Sequence, residues 1–153
     1  MNMKIETLPG SRIAFVRQVG PYGPINAKAM ERVKAWAAEK NLLTESAILF
    51  GIPQDNPATT PPEHCRYDAC IVIANNYPID ESVNEGELPG GEYAVCVIQH
   101  TAEEIQKAWA EIFPALQRSE YQMDNKPIVE RYTGAMLSQN LCEICVPIKP
   151  HLS

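Results

Sequence analysis

Apolar and polar residues alternate from Arg12 to Val19, with Ile13, Phe15 and Arg17 set against Ala14, Val16 and Gln18, so a strand is expected there. A shorter strand, Met3 to Thr7, precedes it and stops at Pro9-Gly10. Gly20-Pro21-Tyr22-Gly23-Pro24 reads as a rigid turn, and Asn26 as the cap of a helix. Ala29/Met30, Val33 and Trp36/Ala37 then recur at helical spacing to about Asn41. Ala47 to Ile52 is a short apolar strand, Pro53 to Pro62 a proline-dense loop, and Tyr67 to Ala74 a buried strand. A long acidic loop follows, Asn75 to Gly91.

The same order of patterns then returns. Glu92 to Gln99 reads as a strand, and Thr101 with Glu104 forms a capping box at the start of a helix. The apolar face of that helix is Ile105, Ala108/Trp109, Ile112/Phe113 and Leu116, with Pro114 expected to kink or end it. Ile128 to Tyr132 is a strand, Met136 to Asn140 a turn region, and Leu141 to Ile148 the last strand. Lys34-Ala35-Trp36-Ala37 matches Lys107-Ala108-Trp109-Ala110, and Asp68, Cys70 and Ile73 stand in the same spacing as Glu143, Cys145 and Ile148. Matches in the same order point to two βαββ repeats, one about 1–75 and the other about 90–150. The expected class is α+β: an antiparallel sheet with helices on one side and a central cleft on a pseudo-twofold axis.

Bulk composition narrows the partners. The chain has 153 residues, enough for one domain spanning 1–153. Thirteen basic residues are dispersed among 19 acidic ones for a net charge of −6, which argues against direct nucleic-acid binding. No signal-peptide pattern opens the chain, and its longest nearly unbroken apolar run, Ala69 to Ala74, is too short to cross a bilayer. A cytoplasmic protein without membrane contact is expected. Cys65, Cys70, Cys96, Cys142 and Cys145 are odd in number, and three alternate with β-formers, the pattern of buried thiols. Cys142 and Cys145 are three apart on a strand and point to opposite faces, which disfavours a shared metal, and no cofactor is expected.

Glu143 is the first candidate for chemistry. It lies mid-strand among apolar neighbours, on one face with Leu141, Cys145 and Pro147. A carboxylate there needs a partner: a cationic ligand, or an internal arginine or backbone donor. Asp68 is its counterpart, with Arg66 close by in sequence. Aromatic residues at strand and helix ends supply walls; Tyr22, Tyr93 and Tyr132 carry hydroxyls that need partners, and Phe50 and Trp109 offer flat apolar area. Trp36, Trp109 and Phe113 also fit helical core spacing. The nucleophile elbow, the phosphate-binding loop and the dinucleotide fingerprint are all missing.

Gly51 with Asp55-Asn56-Pro57, Arg66-Tyr67-Asp68-Ala69, Gly90-Gly91-Glu92-Tyr93-Ala94-Val95 and the closing Glu143 to Pro150 resemble the GyrI-like family, in order and along nearly the whole chain. That family contains DNA gyrase inhibitors and the effector-binding domains of AraC-type and MerR-type regulators. The resemblance implies a single effector-binding domain over 1–153 with an acid on the last strand, matched by Glu143, and aromatic walls. With no helix-turn-helix ahead of the first strand, the chain is similar to the stand-alone members. The leading expectation is a sensor or sequestering module for a hydrophobic or cationic drug or toxin, with ligand contacts from Glu143, Tyr93, Tyr132, Tyr22, Trp109, Phe50 and Asp68. Two alternatives stand beside it. One is inhibition of DNA gyrase through a surface such as Asp80 to Glu87. The other is a cyclopropanoid-type hydrolase in which Glu143 activates water, assisted by Tyr93 or Tyr132.

Overall fold

The computed structural model describes residues 3–150. It contains β1 (Met3–Leu8), β2 (Ser11–Val19), α1 (Asn26–Glu39), β3 (Ile48–Pro53), β4 (Arg66–Ile73), β5 (Asn84–Leu88), β6 (Gly91–Gln99), α2 (Ala102–Gln117), β7 (Tyr121–Met123), β8 (Val129–Thr133), α3 (Gly134–Ser138) and β9 (Leu141–Pro150). The fold is α+β, with a nine-stranded antiparallel sheet in the order β1-β6-β9-β8-β3-β4-β2-β5, and β7 pairing with β9.

Register decides which side chains share a face. Ala14 lies opposite Ile71, Ile71 opposite Leu49 and Leu49 opposite Tyr132. One step along, Gly51 faces Ala69 on one side and Glu130 on the other, and Glu130 faces Ile144. This face carries α1 and α2. The first buries Ala29, Val33, Trp36 and Ala37. The second sets Ala108, Ile112 and Leu116 against Ala94, Cys96, Ile144 and Val146. Each valine, isoleucine or leucine side chain buried this way contributes roughly 1.5–3 kcal/mol.

Among the described residues the other face carries no helix and is closed by the sheet itself. Only Pro9-Gly10 joins β1 to β2, although these strands stand near opposite ends of the sheet order; Pro89-Gly90 joins β5 to β6 in the same manner. Two-residue links between distant positions force the sheet to curl until its edges meet. They meet at Gly90, where an added Cβ would lie 2.6 Å from the Gly10 nitrogen and 3.0 Å from the Leu8 oxygen. The curl encloses Ile13, Phe50, Ile52, Leu88, Tyr93 and Val129, all buried.

Several elements differ from their sequence patterns. The acidic loop contains β5, whose sequence, Asn-Glu-Gly-Glu-Leu, has little strand propensity; pairing along the edge of β2 overrides it. Pro114 does not end α2, which continues to Gln117 and buries Leu116. A short helix, α3, stands where a turn region was expected. Thr101 does cap α2, accepting from the Glu104 backbone N–H at 3.2 Å. Asn26 does not cap α1. The backbone N–H groups of Asn26, Ala27 and Lys28 donate to the carbonyls of Gly23, Pro24 and Ile25, so the helix start is satisfied by main chain and the Asn26 amide is left for other use.

On the helix-free face two buried acids are neutralised internally. Asp68, 3% exposed, accepts from Arg17 Nε and Nη2 at 2.7 and 2.8 Å, and from Gln54 at 3.0 Å. Arg66, its neighbour in sequence, instead pairs with Asp55. Glu143, 4% exposed, accepts from Arg131 Nε and Nη2 at 2.8 and 3.1 Å, and the same guanidinium reaches Glu6 on β1. The Arg131 guanidinium thus ties the edge strand to the centre of the sheet. Removing it strands a buried carboxylate: Arg131→Met should cost about 3 kcal/mol or more, a fall in melting temperature of roughly 6–12 °C for a chain of this size. Hydrogen bonding from Arg131 also holds the Glu6 carboxyl below its ordinary value of 4.5. Its stabilisation is complete above that value and is lost as pH falls through the lower, folded-state value. Glu6→Gln should therefore lower the melting temperature most in the neutral region, change it little at pH values below the folded-state value, and so flatten the acid side of the profile.

Candidate ligand cleft

The helix-bearing face holds a cleft between α1 and α2, and its floor is built from three strands. Gly51 is the opening move. With no side chain at that position, the Tyr67 ring folds across β3 toward β8; a Cβ on Gly51 would overlap the Tyr67 hydroxyl. The residue paired with Gly51 on its far side is Glu130. Alternation along β8 then places Tyr132 on the same face as Glu130, while Val129 and Arg131 point to the other.

The Tyr132 hydroxyl donates to Glu130 Oε2 at 2.6 Å and lies 3.2 Å from Nε2 of His100. A phenol has one proton to give, so His100 presents its Nε2–H to the tyrosine oxygen. The result is a directed chain, His100 to Tyr132 to Glu130, ending on a carboxylate. His100 and Tyr132 also meet edge-to-face, with ring centroids 5.3 Å apart. Among the described residues, no Lys, Arg or His lies within ion-pair distance of Glu130, in contrast to Asp68 and Glu143.

Two adjoining lobes meet at Asn26, Tyr67 and Glu130. One, of about 380 Å³, is walled by Met30, Ile105, Tyr132 and Leu137. The other, of about 810 Å³, is walled by Tyr22, Trp109, Phe113, Met123 and Pro127. Trp109 and Phe113 are stacked, with centroids 5.9 Å apart and planes at 23°. Tyr22 is fixed in place: its hydroxyl accepts from the Asp55 N–H at 3.1 Å and donates to the Arg66 carbonyl at 2.7 Å. Polar groups line the lobes as well, among them Glu31 and Lys34 in the smaller and Asp55 and Lys126 in the larger, and lobes of this size with mixed walls suit a drug-sized ligand.

The residues expected from sequence are divided between the two faces. Tyr22, Trp109 and Tyr132 are brought together in this cleft. Glu143, Asp68, Tyr93 and Phe50 lie on the helix-free face. There Glu143 and Asp68 are held by arginines, Phe50 is core, and Tyr93 is 1% exposed with its hydroxyl 3.4 Å from the Pro89 carbonyl. Asp68 and Tyr93 border a separate concavity of about 390 Å³ beside Phe15, Arg17 and Leu88. Trp36 packs edge-on to Tyr77 in the core. Glu130 and His100 escaped the sequence reading, whereas Tyr67 stood among the aromatic residues at strand ends and Gly51 in a motif of the family resemblance. The signal was available in the expected strand Ile128 to Tyr132, whose period of two puts an acid and a tyrosine on one face.

Burial, with the nearby Glu130 carboxylate, raises both the Tyr67 and Tyr132 hydroxyls well above the ordinary value of 10.0. Burial, and the same carboxylate after it, pushes the Cys142 thiol up to about 12, which makes it a poor nucleophile. Neutral phenols are therefore favoured by the fold, a stabilisation present below about pH 10 and lost as pH rises through the folded-state values. In a spectrophotometric titration of the native protein, Tyr132→Phe should leave the phenolate step near pH 10 unchanged in amplitude and remove absorbance from the high-pH unfolding step.

A family model described as the GyrI-like small molecule binding domain matches residues 1–149. YosT, a candidate transcriptional regulator from the SPbeta prophage of Bacillus subtilis strain 168, is 41% identical over 150 residues, 97% of this chain and 100% of the relative. The DNA gyrase inhibitor of Escherichia coli strain K12 is 31% identical over 137 residues, 86% of this chain and 85% of that protein. Among solved structures, the C-terminal domain of EcmrR aligns with a TM-score of 0.73 over 98% of both chains at 11% identity, a likeness of fold.

Proposed function

The chain belongs to the GyrI-like family, and from that premise we propose that the cleft between α1 and α2 binds a lipophilic organic cation, with Glu130 as its charge anchor. One observation carries the reading: the two acids on the helix-free face are each neutralised by an arginine, whereas Glu130, among the described residues, meets a tyrosine hydroxyl and no basic group. A carboxylate in a tyrosine- and tryptophan-walled cleft attracts a cation by charge and by the ring faces together. The curled sheet fixes the floor, so the site is largely preformed. The role follows as sensing or sequestering such a compound in the cytoplasm.

Isothermal titration with tetraphenylphosphonium and with neutral triphenylphosphine oxide tests this directly. Glu130→Gln should weaken the cation by roughly 10- to 100-fold and leave the neutral compound nearly unchanged. Glu143→Gln should lower the melting temperature without altering either affinity. Equal binding of the cation by wild type and Glu130→Gln would refute the anchor. Chromatography of a cyclopropane-bearing electrophile after incubation separates binding from hydrolysis by a carboxylate-activated water.

Similarity to the Escherichia coli DNA gyrase inhibitor favours a second reading, in which the chain inhibits gyrase through its surface. A supercoiling assay distinguishes the two: inhibition that survives Glu130→Gln unchanged belongs to the surface and not to the cleft.

A further inference from the structure

Asn26 is placed where the two lobes of the cleft join, beside Glu130 and Tyr67. Its amide has been released from helix capping, because carbonyls of Gly23, Pro24 and Ile25 already satisfy the first turn of α1. Among the described residues, the Asn26 Oδ1 atom is buried and has no hydrogen-bond partner. Buried polar atoms are nearly always satisfied, so an orphaned acceptor on a residue that lines a ligand cleft calls for a donor from outside the protein. Glu130 supplies a second acceptor at the same junction; its carboxylate receives one hydrogen bond from Tyr132 and retains lone pairs. Among the described residues, Lys34 and Lys126 line the lobes but pair with Glu31 and Asp124, so the two acceptors at the junction call for a positive charge that carries N–H groups.

We infer that Asn26 is a specificity-determining residue that selects ligands with a protonated amine, amidine or guanidine over quaternary cations of the same shape. The inference rests on the cation reading of the cleft and adds the chemical class of the head group. A quaternary nitrogen or phosphorus satisfies Glu130 by charge alone and leaves Asn26 Oδ1 without a donor. An ammonium satisfies both. The primary ammonium alone gains a hydrogen bond to Asn26, whose Oδ1 stays as it is in the free protein when the quaternary ligand binds, and that gain corresponds to a preference on the order of tenfold.

The test uses two probes with one ring system and one charge at neutral pH: anthracenylmethylammonium and its trimethylammonium analogue, titrated by calorimetry into the full chain. Wild type should bind the primary ammonium about ten times more tightly. Asn26→Leu should bring the ratio close to one by weakening the primary ammonium more than the trimethyl compound, and Asn26→Asp, which keeps an acceptor, should retain the preference. Equal affinities in wild type, or a preference that survives Asn26→Leu, would overturn the inference. The side-chain amide resonance of Asn26 in wild type gives a readout that depends on no variant: it should move with the primary ammonium and stay in place with the trimethyl compound, and equal movement with both counts against the proposal. Glu130→Gln separates this from the underlying reading. If Glu130→Gln weakens both probes but they bind wild type equally, the cleft binds cations and only the head-group preference fails; if Glu130→Gln weakens neither, the cation reading itself fails.

Discussion

Strand β8 distributes charge through the molecule, and the rest of the site depends on how it does so. Its alternation sends Arg131 to the helix-free face, where the guanidinium neutralises Glu143 and reaches Glu6, and sends Glu130 with Tyr132 to the face under the helices. A one-residue slip would exchange these sets, placing an arginine on the cleft floor and leaving Glu143 buried without a partner. The register is held against such a slip from both sides, by β3 through Leu49 and Tyr132 and by β9 through Arg131 and Glu143. Stability and binding potential therefore come from the same strand: the acid that is satisfied stabilises the sheet, and the one that is not gives the cleft its charge.

The curl of the sheet is what lets one face be devoted to a ligand. Because Pro9-Gly10 and Pro89-Gly90 bring the edges together, the helix-free face packs against itself and needs no helix to cover it. Both long helices then serve the opposite face, each burying one stripe and turning another toward the cleft. On α2 the stripe of Ala108, Ile112 and Leu116 is core, and the adjacent Trp109 and Phe113 form the wall. Gly51 completes the floor by leaving room for Tyr67 to cross it.

Much of this was legible in the sequence, because period and punctuation are local properties. The alternation of Arg12 to Val19, the helical spacing of Ala29, Val33 and Trp36 and the Thr101 cap all appear in the fold. Elements that depend on partners were hidden: β5 has no propensity of its own and exists because β2 offers an edge, and α2 passes Pro114 because its last turn is packed. The site divided for the same reason. Tyr22, Trp109 and Tyr132 could be read as wall candidates from residue type, but the choice between Glu143 and Glu130 turned on where Arg131 points, and that is a cross-strand fact. Asn26 illustrates the converse error, since a residue suited to capping a helix proved unnecessary there once main-chain carbonyls had taken the role.

The central claim is that the carboxylate of Glu130 is the anchor of an aromatic, cation-binding cleft between the two long helices. Its most direct test is a crystal structure of the chain with tetraphenylphosphonium. The account predicts the phosphonium between α1 and α2, with aromatic rings of the cleft within about 6 Å of the charge and the Glu130 carboxylate facing it. A cation bound instead on the helix-free face, beside Asp68 or Glu143, would contradict the account.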